Sequence, residues 1–203
     1  IGRFWVHGSH ITNPAPAGLF PLCVDAAQAF GSGTHATTKG CLLAIQNASR
    51  SKRHIRRILD LGCGSGILSM AAKSLNPSAA VMAADYDKIS VETTRQNWHI
   101  NQYPKTAFFA LHSDGFSHER LRGKHKFDLI VANILAKPLK QFAPLIAQNL
   151  ASNGRVILSG LLTSQMRDIR AIYRHHHLFV MQHIQMDAWS TLLLAPKTNY
   201  TKR

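Results

Sequence analysis

Leu59-Asp60-Leu61-Gly62-Cys63-Gly64-Ser65-Gly66-Ile67 runs from an apolar β segment through a glycine-rich turn into the start of a helix. Upstream, Arg57-Ile58-Leu59-Asp60-Leu61 has the length and content of a short buried strand. Downstream, Ile67 to Leu75 repeats apolar residues at helical spacing until Asn76-Pro77 stops it. Strand, glycine turn and helix in that order form the first half of a βαβ unit, and glycines there let backbone approach a ligand closely at the carboxyl edge of a sheet. The spacing is G-x-G-x-G, not the G-x-G-x-x-G of dinucleotide enzymes.

The same alternation continues outward. Ala80-Val81-Met82-Ala83-Ala84 predicts a second strand ending at Asp85. Ser90 to Asn101 predicts a helix with Val91, Thr94, Trp98 and Ile100 available for burial. Ala107 to Leu111 and Phe127 to Ala132 predict a third and a fourth strand. Leu139 to Leu150 predicts a helix closed by Ser152-Asn153-Gly154, with Gly154 in the left-handed conformation. Arg155 to Ser159 is a fifth strand and Ser164 to Tyr173 a helix. Leu178 to Met181 and Thr191 to Leu194 supply two last strands, joined too closely for a crossover helix and therefore antiparallel. Seven strands interleaved with helices make an α/β fold around a mostly parallel sheet.

The chain has 203 residues, 45% of them hydrophobic, enough for one large domain with its own core. No apolar run, Leu192-Leu193-Leu194-Ala195 included, approaches the ~20 residues of a membrane span. Cys23, Cys41 and Cys63 are odd in number and widely spaced, which fits neither a disulfide framework nor a zinc knuckle and points to a reducing cytoplasm. Against 24 Lys and Arg stand only 10 Asp and Glu, a formal charge of +14 that attracts nucleic acid or nucleic-acid-rich particles. The densest basic run is Arg50 to Arg57, and the tail from Lys197 to Arg203 is basic too.

Asp85, at the end of the second strand, falls beside the glycine turn, where a carboxylate accepts both hydroxyl hydrogens of a ribose. Together they indicate an adenosine-type cofactor, and both nicotinamide and S-adenosylmethionine satisfy that geometry. Asn133 closes the fourth strand at the edge where a substrate meets the cofactor. Its amide oxygen can accept a hydrogen bond from an incoming amine and leave the nitrogen lone pair aimed at an electrophile. A helix N-cap ahead of Pro138 is the structural alternative for Asn133.

Four segments, in order, resemble the PrmA family, the bacterial methyltransferases of ribosomal protein L-eleven. They are Phe30-Gly31-Ser32-Gly33-Thr34-His35-Ala36-Thr37-Thr38; Leu59 to Gly66, with Asp60, Gly62, Gly64 and Gly66 as D-x-G-x-G-x-G; Val131-Ala132-Asn133-Ile134-Leu135-Ala136; and Leu158-Ser159-Gly160-Leu161-Leu162 with Gln165. The resemblance runs over nearly the whole chain. It implies a Rossmann-like, seven-stranded S-adenosylmethionine-dependent methyltransferase fold with an antiparallel last strand. It also implies that the loop from Phe30 to Thr38 closes over S-adenosylmethionine, with Phe30, His35, Thr37 and Thr38 beside it. Gly62 and Gly64 then meet the methionine part, Asp85 the ribose, and Asn133 the transfer centre, where it is both catalytic and cofactor-binding. Residues 1–24 become a linker and lead-in segment, residues 25–203 the methyltransferase domain, and a substrate-recognition domain is expected before Ile1. The implied acceptors are lysine side chains or α-amino groups of ribosomal protein L-eleven, with a weak ribosomal RNA contact through the basic surface, in a monomeric cytoplasmic enzyme.

The chain departs from the family pattern at Ser32 and Ala36, where Thr and Pro are usual, at Ala26-Ala27 in place of Pro-Gly, and at Asp187-Ala188-Trp189, which keeps part of an acidic-acidic-Trp element. His175-His176-His177 suits an exposed turn better than a metal site, because consecutive side chains do not converge on one ion, and no metal is expected. Trp5, Trp98 and Trp189 are expected in packing. Two other functions fit the fold: an RNA base methyltransferase, which an aromatic at position 136 favours where Ala136 stands, and a non-catalytic RNA-binding module, which the intact Gly62, Gly64, Asp85 and Asn133 oppose. A nicotinamide dehydrogenase lacks its glycine spacing.

Overall fold

The computed structural model describes residues 1–25, 35–50, 54–122 and 126–197. Two four-residue strands open the chain, β1 (Phe4–His7) and β2 (Phe20–Cys23), paired in parallel and followed by helix α1 (Ala36–Ser49). The chain then alternates through β3 (Arg57–Leu61), α2 (Ile67–Leu75), β4 (Ala80–Asp85), α3 (Lys88–Ile100), β5 (Phe108–His112), β6 (Phe127–Asn133), α4 (Ala136–Asn149), β7 (Leu150–Leu162), α5 (Met166–His175), β8 (Leu178–Met186) and β9 (Trp189–Pro196).

The main sheet has seven strands in the order β5-β4-β3-β6-β7-β9-β8, with β9 antiparallel to both neighbours and the remaining pairs parallel. The expected mostly parallel sheet with an antiparallel last strand is what forms. Its physical cause is the connection: only Asp187 and Ala188 separate β8 from β9, and two residues can turn a hairpin but not cross a sheet.

Side chains alternate across the strands. Ile58, Val81, Leu129, Val131 and Ile157 face α1, α2 and Trp98 of α3 on one side of the sheet. Leu59, Ile130, Ala132, Val156 and Leu158 face α4 and α5 on the other. Burying a side chain such as Leu59 completely stabilises the fold by roughly 1.5–3 kcal/mol. Both faces are covered, so the central strands read as continuous apolar runs.

The lead-in strands belong to this core, since Phe4 and Leu22 are fully buried in the cluster under α1 and α2. Two side-chain amides one turn apart, Asn97 on α3 and Asn101 just past its end, hold the end of β2 and the residues after it. Asn101 accepts from the Cys23 amide at 2.8 Å and donates to the Cys23 carbonyl at 2.7 Å. Asn97 accepts from the Asp25 amide at 3.0 Å and donates to the Ser65 carbonyl in the glycine turn at 2.9 Å. The backbone at Cys23 and Asp25 is thereby tied to the turn.

Three details differ from expectation. The helix α4 does not end at a left-handed glycine: Leu150 is already extended, with φ −82° and ψ 138°, and pairs with Phe127, so residues 150–154 belong to β7. Gly154 is not among the residues with positive φ. Ile100, at the last turn of α3, is exposed whereas Val91, Thr94 and Trp98 are buried.

Candidate active site

The chain runs from β3 to β4 and β5 on one side and from β6 to β7 on the other, so the sheet order reverses between β3 and β6. A crevice forms beyond the carboxyl ends of strands at such a point. Here it is a cavity of about 620 Å³.

The glycine turn is its floor. Gly62, Gly64 and Gly66 have φ of +77°, +52° and +79°, a left-handed region that side chains resist, which is why glycine stands at each alternate position. The Gly62 and Cys63 amides donate to the Ala84 carbonyl at 2.8 and 3.1 Å, pinning the turn to the end of β4. Thr94 of α3 donates to the Gly64 carbonyl at 2.9 Å.

Asp85 forms the wall beside it. Its Oδ2 accepts from the Gly64 amide at 2.9 Å and its Oδ1 from the Asp87 amide at 3.0 Å. Each oxygen is thus fixed by one backbone donor and keeps a lone pair for a ligand hydroxyl. Asp87 in turn caps α3, accepting from the Ile89 and Ser90 amides, and these bonds, led by that of the Ser90 hydroxyl, hold its carboxyl below the usual range.

Asn133 ends β6 and lines the same cavity, and its buried Oδ1 has no hydrogen-bond partner. The N-cap alternative does not apply, because the N-cap of α4 is Leu135. An unpartnered buried acceptor at a ligand cavity is costly unless something fills its lone pairs.

His35 caps α1 instead: Nδ1 accepts from the Thr37 amide at 3.3 Å and lies 2.8 Å from Thr37 Oγ1. His35 and Thr37 line the cavity. Thr38, one residue further round the helix, does not; it is fully buried, and its hydroxyl has no partner. Phe30 lies outside the described residues, as do Ser32 and Ala26-Ala27. Below the turn, Asp60 is fully buried, and burial pushes its carboxyl up to about 6 against the opposing bonds from the Ser69 amide and hydroxyl.

Comparison with known proteins identifies the relatives. The family model described as ribosomal protein L11 methyltransferase (PrmA) matches residues 1–197. The chain belongs to the PrmA family. A ribosomal protein L11 methyltransferase of Bradyrhizobium diazoefficiens is 41% identical over 194 residues, covering 95% of this chain and 64% of that protein. One of Rhodopseudomonas palustris is 40% identical over 195 residues, covering 96% of this chain and 65% of that protein. The chain therefore spans slightly less than two thirds of the length of these relatives. A crystal structure of ribosomal protein L11 methylase from Lactobacillus delbrueckii subsp. bulgaricus superposes with a TM-score of 0.82 at 26% identity, covering 94% of this chain and 93% of that one.

S-adenosylmethionine is the cofactor, and a structure of the same fold, that of a T. thermophilus 16S rRNA N2 G1207 methyltransferase with a TM-score of 0.65 at 23% identity, is in complex with it. The residues present fit it: a turn of left-handed glycines open to close approach, a strand-end carboxylate with free lone pairs, and an unpartnered amide oxygen share one cavity. A second cleft of about 600 Å³, between β2 and the ends of α2 and α3, is lined by no glycine and no carboxylate among the described residues.

Several lining residues carry no separate signal in the sequence. Tyr86 and Asp114 follow β4 and β5, Phe142 comes from α4, and Trp189 from the start of β9. Trp189 is therefore not packing alone: it lines the cavity edge-on to His35, ring centres 5.2 Å apart. Trp98 does pack, stacked on Phe108 at 3.8 Å. His175 to His177 form the end of α5 and a turn, and among the described residues no cluster suited to a metal ion occurs.

Proposed function

We propose that this chain is the methyl-transferring part of a ribosomal protein L11 methyltransferase, acting on lysine side-chain and N-terminal amines. The observation that carries this is Asn133 Oδ1, buried and unpartnered in the cavity that also holds the glycine turn and Asp85. In this reading Asp85 takes the ribose hydroxyls with the lone pairs left by Gly64 and Asp87, and Gly62 and Gly64 present bare backbone to the methionine part. When bound, S-adenosylmethionine supplies a methyl group on a positively charged sulfur, already an electrophile. Asn133 accepts an N–H of the incoming amine and turns its lone pair toward that methyl, so alignment provides most of the acceleration. The amine enters neutral, its proton having passed to water.

The basic surface supports a ribosomal RNA contact. On α5, Arg167, Arg170 and Arg174 are exposed along one face. The acidic residue of that helix, Asp168, is paired with Lys140 at 3.0 Å. Phosphate contacts of this type weaken steeply with salt. The cytoplasm as its location is supported by three cysteines that are all free and buried. Among the described residues no helix is long and apolar enough to cross a membrane.

The test is transfer of labelled methyl from S-adenosylmethionine to purified ribosomal protein L11 and, in parallel, to ribosomal RNA. Label in the protein amines is expected. Label confined to RNA overturns the amine acceptor.

A further inference from the structure

Asn133 is held in place by the residue that follows it. Ile134 leaves the sheet between two glycines from neighbouring strands, Gly62 just after β3 and Gly160 within β7. Both have left-handed backbones, with φ of +77° and +82°. A Cβ at Gly62 would overlap Cγ2 of Ile134. A Cβ at Gly160 would overlap the Ile134 carbonyl oxygen and lie 2.7 Å from its carbonyl carbon and 3.0 Å from its nitrogen. The first contact is with a side chain that can turn away. The second is with backbone: the carbonyl group that joins Ile134 to Leu135 and the nitrogen that joins Ile134 to Asn133, so the chain on both sides of Ile134 must shift for it to yield.

Gly160 also lies where the pairing of β7 with β9 slips, between Leu158 and Leu161. Bulges of this kind bend a strand and re-aim the groups beside it. One residue earlier, Ser159 pairs in register with Asn133 and is buried, its hydroxyl 2.8 Å from that of Thr191. The strand is thus anchored immediately before the bulge, and Gly160 presents a bare backbone to the Ile134 peptide.

We propose that Gly160 is a positioning residue for methyl transfer: by leaving room for the Ile134 peptide it sets the place of the Asn133 amide oxygen relative to the glycine turn. The proposal rests on the amine-transfer role of Asn133 given above. Cofactor affinity depends on Asp85, Gly62 and Gly64, none of which Gly160 would crowd. Turnover and cofactor binding should therefore separate.

The experiment compares Gly160→Ala with Gly18→Ala, which imposes the same left-handed strain at φ +80° with nothing within 4 Å of the new methyl. For Gly160→Ala, kcat on ribosomal protein L11 is expected to fall about 10- to 100-fold, the loss that a misplacement of about 1 Å brings. S-adenosylhomocysteine affinity should stay within about twofold by calorimetry, and the Asn133 side-chain amide resonances should move. Gly18→Ala should change none of these. Wild-type kcat in Gly160→Ala, or a fall in kcat matched by an equal loss of S-adenosylhomocysteine affinity, overturns the proposal. If Gly160→Ala does not fold, Thr191→Val, which unties Ser159 immediately before the bulge, is held to the same split. If wild type labels no L11 protein, the amine-transfer role fails. The Asn133 resonances then decide the positioning role alone, unmoved resonances overturning it.

Discussion

The Gly64 amide donates to Asp85 Oδ2 across 2.9 Å, so the glycine turn and the end of β4 form one unit in which the carboxylate is aimed before any ligand arrives. A preset acceptor loses little freedom on binding, which makes Asp85 a strong contributor to cofactor affinity. Asp85→Ala should weaken S-adenosylhomocysteine binding by about 1.5–3 kcal/mol, roughly 10- to 150-fold, measured by calorimetry. Unchanged affinity would remove Asp85 from the ribose.

Asn133 should behave differently. Its oxygen has no protein partner to lose, and its contact is with the acceptor amine, so Asn133→Ala should lower kcat by about 100-fold or more while cofactor affinity changes little. Steady-state kinetics with labelled methyl donor measure both, and wild-type turnover in the variant would sink the assignment.

The two threonines at the start of α1 provide a paired comparison. Thr37 lines the cavity and meets His35 Nδ1 at 2.8 Å, so Thr37→Val should weaken S-adenosylhomocysteine binding by about 0.5–1.5 kcal/mol. Thr38 is buried with an unpartnered hydroxyl, and replacing it with a methyl of the same shape should leave affinity unchanged and stability equal or higher. Equal losses in both variants would place Thr38 in the site.

Asp60 predicts a pH dependence of stability. Burial raises its carboxyl from 3.8 in the unfolded chain to about 6, so between these values the folded state holds a proton that the unfolded state has released. Stability must then fall as pH rises through that window, by an amount on the order of 3 kcal/mol, and stay level above it. Asp60→Asn lacks the proton and should lack the slope. Urea midpoints of both proteins from pH 4 to pH 7.5 measure the difference, which ought to be independent of pH if Asp60 titrates normally.

Strand, turn and helix from Arg57 to Leu75 are legible to the residue because glycines and Asn76-Pro77 punctuate a clean apolar pattern. Around Gly154 the local signal misleads: a helix-ending glycine is outweighed by the pairing of Leu150 with Phe127, a contact between residues far apart in sequence. Helix α1 is hidden for another reason. Its buried side carries Thr37, Thr38, Gly40 and Gln46 beside Leu42 and Ile45, so the apolar stripe blurs. In the site, Gly62, Gly64, Asp85 and Asn133 are legible because each ends a strand or lies in the turn that follows one at one edge of the sheet. Trp189 and Gly160 reach the cavity only through the pairing of β9 and β7, which no short stretch encodes.

The decisive measurement is a structure of the chain with S-adenosylhomocysteine. The ligand is expected in the cavity between β3 and β6, its ribose hydroxyls on Asp85, its homocysteine against Gly62 and Gly64, and its sulfur facing Asn133. A ligand bound in the cleft beside Tyr103, or one whose ribose misses Asp85 or whose sulfur points away from Asn133, would contradict it.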